Sequence, residues 1–154
     1  MKKILLIEDE VHKKEELSGY LNEFITPVPQ LDIEGSVRSA VVAVTDNDYD
    51  LIILDMALPT FSTDADNYDG GRDQALGGIE ILRTLKNLRK RATIIIVTQW
   101  PDISVEGKRT KLRHARTVLS KKYEQNVEAA LLYKYKSSMN KTKLRDVLET
   151  LWHG

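Results

Sequence analysis

The sequence has no cysteine, and a chain of 154 residues can bury a hydrophobic core without disulfides or a structural metal. It also lacks an apolar run long enough to span a membrane. Only four apolar residues separate Lys3 from Glu8, too few for the apolar core of a secretory signal peptide. We therefore expect a soluble protein of the reducing cytoplasm, without membrane insertion.

The net charge is zero, but the two halves of the chain carry opposite charges. Residues 1–80 hold 6 Lys and Arg against 17 Asp and Glu, a balance of −11. Residues 81–154 hold 17 against 6, a balance of +11. If both halves contribute to one sheet, this asymmetry becomes a surface dipole that can orient a partner.

Apolar runs and segments of helical periodicity alternate five times along the chain. Short runs that are apolar throughout are typical of strands buried on both faces of a parallel sheet. We predict strands at residues 4–7, 31–34, 51–55, 93–98 and 129–133. Ser36 is positioned to cap the second helix, Gly77 and Gly78 to open the third, and a long polar helix is expected within residues 103–123. The pattern predicts an α/β fold with a parallel sheet covered on both faces.

Three of the predicted strands end in reactive side chains. Glu8 and Asp9 follow the first strand, Asp55 ends the third and Thr98 ends the fourth. The carboxyl ends of parallel strands meet at one edge, so these groups are expected to converge. Two carboxylates about 4 Å apart repel by roughly 4 kcal/mol at an effective dielectric near 20. The cluster should therefore hold a proton or a hard cation such as Mg²⁺.

A cation at this edge would draw a phosphoryl group toward the neighbouring carboxylate. Asp55 is then a candidate nucleophile, because carboxylates can form acyl phosphates. Thr98 can donate to one phosphoryl oxygen, and a lysine can neutralise another. Taken singly, the acidic pair also fits a capping role and Thr98 a turn role. The ordered combination favours the functional interpretation.

These residues resemble the response-regulator receiver family. The resemblance rests on the acidic pair, on Asp55 with Pro59 four residues later, on a glycine opening the third helix, on Thr98 and on a lysine ending the last strand. It covers essentially the whole chain, as a single receiver domain over residues 1–154 with no output domain. It implies a flavodoxin-like (βα)5 three-layer sandwich with sheet order 2-1-3-4-5.

The resemblance also implies an activity. A histidine kinase or a phosphotransfer protein would transfer a phosphoryl group to Asp55, and the chain would not otherwise be an enzyme. Mg²⁺ would be held by Asp9, Asp55 and the backbone carbonyl of Ala57, with Glu8 acting through water. Thr98 would move toward the phosphoryl group and re-pack the face formed by the fourth helix, the fifth strand and the fifth helix, where a downstream protein binds.

Two lysines compete for the phosphate-contacting role that the resemblance implies. Lys134 directly follows the last apolar run, and Lys136 lies two residues further on the same strand face. A buried strand favours Lys134. If Lys136 were the ligand, Tyr133 would occupy the place of the family's switch aromatic residue. Neither lysine is followed by the proline that is usual in the family.

Two further segments depart from the family pattern. The loop at about residues 60–76 is longer than usual and rich in aspartate, which favours a flexible lid or a partner contact beside Asp55 over an imperfect calcium loop. Gln99 follows Thr98 where the family has a small residue, and we expect it to restrict access to the phosphoryl group.

Residues 108–122 contain seven Lys and Arg and no acidic residue. A solvated helix face is the simpler interpretation. Nucleic-acid binding is less well supported, because no aromatic residue is interleaved and the net charge is zero. We favour an acidic protein partner. His12 and His153 flank no recognisable ligand set.

Two other classes of function remain open. A pseudo-receiver would act as an interaction module independent of phosphorylation, as the long loop and the unusual basic segment suggest. An Mg²⁺-dependent phosphohydrolase would use Asp55 as nucleophile, but such enzymes generally have a second aspartate two residues later, where this chain has Ala57.

Overall fold

The structure is a computed structural model that describes residues 1–58 and 70–152, with side chains described from residue 77 onward in the second range. The described residues form seven strands and five helices. In chain order these are β1 Lys3–Ile7, α1 Val11–Phe24, β2 Gln30–Glu34, α2 Val37–Asp46, β3 Leu51–Leu54, α3 Gly70–Asn87, β4 Thr93–Thr98, β5 Asp102–Val105, β6 Lys108–Lys111, α4 Leu112–Tyr123, β7 Asn126–Leu132 and α5 Met139–Trp152.

Five of the strands form one parallel sheet in the order β2-β1-β3-β4-β7. Because β7 is the fifth strand of this sheet, the predicted order 2-1-3-4-5 is confirmed. Successive side chains of a strand point to opposite faces of the sheet. Accordingly, Leu5 and Ile7 pack with apolar residues of α2, α3 and α4, whereas Ile4 and Leu6 pack with those of α1 and α5. The fold is therefore a three-layer α/β sandwich.

Helix α2 begins where the sequence predicts. The Ser36 hydroxyl accepts a hydrogen bond from the backbone N–H of Ser39 at 3.1 Å, which satisfies one of the free donors at the helix N-terminus. Among the described residues, no helix combines the length and the apolar character needed to cross a membrane.

A hairpin replaces the first half of the predicted polar helix. Strands β5 and β6 pair antiparallel, and α4 is confined to Leu112–Tyr123. Ile103 and Val105 are buried while the residues between and before them are half-buried, an alternation with the period of a strand. Glu106 and Gly107 form the turn with φ of 49° and 84°, conformations that suit a two-residue hairpin turn.

Helix α3 begins at Gly70, seven residues before the predicted start. The predicted loop at about residues 60–76 is therefore wrong over residues 70–76. Residues 59–69, with Pro59 and the acidic residues 64, 66 and 69, lie outside the described part.

Gly77 and Gly78, which were predicted to open the third helix, lie inside it. A Cβ on Gly77 would be 2.0 Å from the carbonyl oxygen of Leu58, so glycine lets α3 pack directly against the segment after β3.

Candidate functional site

The carboxylates predicted to converge do so at the carboxyl edge of the parallel sheet. Strands β1 and β3 are neighbours with Ile7 opposite Leu54, so Glu8 and Asp55 leave the sheet side by side. The backbone N–H of Asp55 continues the pairing by donating to the Ile7 carbonyl at 3.1 Å. Glu8, Asp9 and Asp55 each offer a carboxylate oxygen within 4.8 Å of the others. The predicted convergence of these three residues is present.

Burial and backbone donors fix the geometry of this cluster. Glu8 is 1% exposed and Asp55 is 5% exposed, whereas Asp9 is half-buried. Asp55 Oδ1 accepts a hydrogen bond from the backbone N–H of Ala57 at 3.0 Å. Glu8 Oε2 accepts one from the backbone N–H of Glu10 at 3.1 Å. The carboxylates are thus oriented by the segments that follow their own strands.

The environment favours the protonated forms of these acids. Burial and the nearby charge of Asp55 raise the pKa of Glu8 to about 7, against the opposing effect of Lys13. Burial, followed by the charge of Glu8, raises the pKa of Asp9. Burial also raises the pKa of Asp55, although the Lys13 ammonium acts in the opposite direction. The cluster therefore needs a positive charge or a proton to be stable.

The structure supplies that positive charge from Lys13, a residue that the sequence analysis missed. Its side chain is 1% exposed, and Nζ lies 2.7 Å from Glu8 Oε1 and 3.6 Å from Asp55 Oδ1. The same nitrogen donates to the Val97 carbonyl at 2.8 Å and lies 5.5 Å from the centre of the Tyr133 ring. Lys13 therefore connects α1 to the ends of β1, β3 and β4.

A sequence signal for Lys13 exists in the helix that carries it. Lys13, Leu17 and Leu21 are the buried residues of α1, at a spacing of four that places them on one face. A lysine on the apolar face of a helix must find acidic or carbonyl partners when it is buried. Here those partners lie at the end of the sheet.

The two lysines predicted to contact the phosphoryl group, Lys134 and Lys136, follow the end of β7. Both are exposed, and no described contact joins either of them to the carboxylates. The Asn140 side chain accepts from the Lys134 N–H at 3.0 Å and donates to its carbonyl at 2.6 Å, which fixes the backbone there. Tyr133 instead takes the buried position directly after β7. The ammonium in the cluster therefore comes from α1 rather than from the end of the last strand.

Tyr133 joins the end of β7 to α1. Its hydroxyl donates to Glu16 Oε2, and the other oxygen of Glu16 accepts from the Tyr20 hydroxyl at 2.8 Å. Burial and the Glu16 carboxylate raise the pKa of Tyr133, so its hydroxyl stays protonated and keeps donating. The exposed His12 ring contacts the Tyr135 ring in a tilted arrangement, with 4.6 Å between the ring centroids and 51° between the ring planes. His153 lies outside the described residues.

Thr98 lies at the carboxyl end of β4, as predicted, and is fully buried. Its hydroxyl accepts from the backbone N–H of Trp100 at 3.2 Å, and its carbonyl accepts from the N–H of Tyr133 at 2.7 Å. The hydroxyl therefore stabilises a turn in this conformation. Gln99, by contrast, is exposed.

The basic residues 108–122 form a surface on two elements rather than on one helix. We use the name basic surface for its exposed cations, which lie on the hairpin and on α4: Lys108, Arg109, Lys111, Arg113, Arg116, Lys121 and Lys122. Two of them form solvent-exposed ion pairs, Arg109 with Asp102 at 3.7 Å and Lys122 with Glu106 at 3.4 Å.

The donor set at the sheet edge fits a hard divalent cation. Carboxylate oxygens on three residues lie within reach of one ion, and oxygen ligands are those that Mg²⁺ prefers. The three acids outnumber the single Lys13 ammonium, so negative charge remains for a cation to neutralise. The half-buried Ala57 sits two residues after Asp55, and its N–H is already bonded to that carboxylate.

The chain is similar in sequence to a response regulatory protein. No protein-family model matches the chain. The chain is 27% identical over 121 residues to the Detocs response regulatory protein DtcB of Vibrio alginolyticus, covering 78% of this chain and 80% of that protein.

Solved structures of response regulators superpose on nearly the whole chain. The response regulator TrrA of Thermotoga maritima, in complex with Mg²⁺-BeF, matches with a TM-score of 0.58 at 22% identity, covering 96% of this chain and 99% of that one. The response regulator domain of Thermotoga maritima CheB matches with a TM-score of 0.62 at 15% identity, covering 99% and 95%. These structures confirm the fold, and with the sequence relative they confirm the resemblance to response-regulator receivers.

Proposed function

We propose that this chain works as a response-regulator receiver that accepts a phosphoryl group from a histidine kinase or a phosphotransfer protein on Asp55. The observation that carries the proposal is the convergence of three carboxylates at one edge of a receiver fold, with Asp55 held by the N–H of Ala57. We place this reaction in the cytoplasm, as the absence of cysteine and the family resemblance indicate.

In the proposed reaction a carboxylate oxygen of Asp55 attacks the phosphorus of a phosphohistidine. The new bond joins that oxygen to phosphorus, the nitrogen–phosphorus bond breaks, and its electron pair returns to the imidazole, which then takes up a proton. The Ala57 N–H orients the attacking group. Glu8 and Asp9 add negative charge beside the nucleophile, so the proposed site requires cations before a phosphoryl group can approach.

We propose that Asp9, Asp55 and the Ala57 carbonyl hold Mg²⁺, with Glu8 acting through water. Bound there, the ion would neutralise charge on the phosphoryl oxygens. Support comes from the oxygen-only donor set and from its burial.

Thr98 is proposed to report the phosphorylated state. Its hydroxyl accepts from the Trp100 N–H and can donate its own hydrogen to a phosphoryl oxygen at the same sheet edge. The Thr98 carbonyl is bonded to the N–H of Tyr133, which gives a direct connection to β7. We propose that a downstream protein binds the face formed by α4, β7 and α5, where part of the basic surface lies.

A pseudo-receiver is the second candidate, and one observation favours it. The buried Lys13 ammonium forms an ion pair with Glu8 at 2.7 Å and lies 3.6 Å from Asp55. A site stabilised in this way can persist as a structural feature of an interaction module.

Intact-mass spectrometry separates these two functions. We expect wild-type protein to gain one phosphoryl group when incubated with Mg²⁺ and acetyl phosphate, and Asp55→Asn to gain none. Asp48→Asn is the matched control, because the Asp48 side chain is 91% exposed and remote from the cluster. A wild-type protein that gains no phosphoryl group, or an adduct that persists in Asp55→Asn, would contradict the receiver function.

A further inference from the structure

We propose that Lys13, on helix α1, is the cation that binds the phosphoryl group on Asp55, in place of a lysine at the end of the last strand. This inference rests on the proposed function of Asp55. It assigns the role to a residue that comes from the opposite end of the chain.

Lys13 lies close to the proposed phosphoryl acceptor. Lys13 Nζ lies 3.6 Å from Asp55 Oδ1, close enough for small adjustments to bring it into contact with an oxygen of a phosphoryl group on that carboxylate. The ammonium is held in place by the Val97 carbonyl at 2.8 Å. A charge that is already positioned and shielded from water stabilises developing negative charge far better than a solvated one does.

Tyr133 occupies the buried position directly after β7, next to the lysine that the family resemblance favoured. The first residue after β7 is buried and aromatic, and its ring covers the Lys13 ammonium at 5.5 Å. Lys134 follows it with an exposed side chain and a backbone clamped by Asn140. In the described structure the buried residue directly after β7 is therefore aromatic, and the ammonium beside Asp55 comes from α1.

The positive charge of Lys13 suits a phosphoryl group on Asp55. A phosphoryl group adds about two negative charges at Asp55. Lys13 is shared between Glu8 at 2.7 Å and Asp55, so it can shift toward the phosphoryl oxygens by releasing Glu8. The same sharing means that Lys13 competes with Mg²⁺ for these carboxylates. Removing the ammonium should therefore weaken phosphoryl transfer and strengthen metal binding, whereas general damage to the site would weaken both.

The experiment measures both quantities in Lys13→Met. At saturating Mg²⁺ we expect phosphoryl incorporation from acetyl phosphate to slow by about 100-fold, the usual loss for a missing transition-state donor. The Mg²⁺ affinity, measured by calorimetric titration of the protein with MgCl2, should be tighter than that of wild type, and a weaker affinity would contradict the competition between Lys13 and the metal. Lys14→Met, at the next residue of the same helix, is the matched control and should leave both quantities unchanged.

A charge-balanced pair of variants covers the case in which Lys13→Met does not fold. Lys13→Met combined with Glu8→Gln removes one charge of each sign, so the net charge of the cluster is kept. Its rate is compared with that of Glu8→Gln alone, after circular dichroism shows that both are folded. A further drop of about 100-fold supports the assignment, and equal rates overturn it.

Failure of this inference differs from failure of the proposed function. If wild type incorporates the phosphoryl group and Lys13→Met does so equally fast, Asp55 remains the acceptor but Lys13 is not its cation. If the rate of phosphoryl incorporation falls only in Lys134→Met, the cation that binds the phosphoryl group is Lys134, after the last strand, and not Lys13. If wild type incorporates nothing, both proposals are overturned together.

Discussion

Charged side chains at the sheet edge and on the basic surface occupy opposite environments. Lys13 is 1% exposed and contacts two carboxylates and a carbonyl, whereas the Arg109 side chain is 84% exposed and has one distant ion-pair partner. A buried charge depends on each of its partners, because water cannot replace one that is lost. An exposed charge is solvated and screened, so its individual contribution is small although its field adds to that of its neighbours.

Removing the buried ammonium of Lys13 should have the largest effect on stability. In Lys13→Met, Glu8 and Asp55 stay buried without their ammonium, and we expect the free energy of unfolding to fall by about 3–5 kcal/mol. Urea denaturation at pH 8 measures the change. Lys14→Met should stay within about 0.5 kcal/mol of wild type. A loss below about 1 kcal/mol in Lys13→Met would mean that the unpaired carboxylates at the sheet edge destabilise the protein no more than exposed charges do.

The buried carboxylate of Glu8 should also make the stability of the protein depend on pH, which an exposed carboxylate would do far less. The pKa of Glu8 rises from 4.5 to about 7 on folding, so the folded protein binds the proton more tightly than the unfolded chain does. Stability from this group is complete below pH 4.5 and is lost as the pH rises through about 7, a loss of about 3 kcal/mol.

Denaturation at several pH values tests this expectation against Glu8→Gln, which cannot titrate at this position. The variant should lose less stability than wild type between pH 4.5 and pH 7. Parallel stability profiles for the two proteins would exclude Glu8 as the source of the dependence.

Backbone conformation, rather than charge, should dominate the stability of the hairpin that carries part of the basic surface. Gly107 has φ of 84°, and no described heavy atom lies within 4 Å of a Cβ placed there. Gly107→Ala should therefore cost about 1 kcal/mol from backbone strain alone.

Gly19→Ala is the matched control for this glycine. Gly19 lies inside α1 with equally open space around a Cβ, so alanine there should stabilise the protein by about 0.5–1 kcal/mol. Thermal unfolding of both variants gives the two signs. If both variants changed the stability in the same direction, the positive φ of Gly107 would not be the cause of the effect in the turn.

The smallest effect is expected for a single exposed cation. Arg109→Gln removes the 3.7 Å pair with Asp102, and we expect the free energy of unfolding to change by less than about 0.5 kcal/mol. Urea denaturation at low and high salt is the measurement. A loss above about 1 kcal/mol would show that the pair is not merely a surface contact.

The strands of the main sheet and the acidic part of the site could be predicted because their signals are local. Runs such as Leu51–Leu54 are apolar throughout, and Asp55 follows at once, so a parallel sheet brings such ends together. The sequence analysis missed the hairpin, although the apolar residues Ile103 and Val105 alternate with polar residues before a turn that contains Gly107. The density of lysine and arginine in the segment concealed that short pattern.

Lys13 could not be assigned from spacing alone. In a helix rich in charge it resembles a solvated residue, and only its position four residues before Leu17 indicates burial. Its partners come from β1, β3 and β4, which are distant in sequence, and a tertiary contact of that kind is decided by packing. Lys134 satisfied the expected position in the sequence, but Tyr133 takes the buried place beside it.

The burial of Lys13 also gives the protein an internal probe of its own motion. A reagent that acetylates lysine amines reaches Lys134 directly, since that side chain is exposed, but reaches Lys13 only after α1 lifts away from the sheet. The ratio of the two labelling rates then reports how often the helix opens. A phosphoryl group on Asp55 that binds the Lys13 ammonium would slow the acetylation of Lys13 further. The acetylation rate of Lys134 would stay the same and serve as the reference.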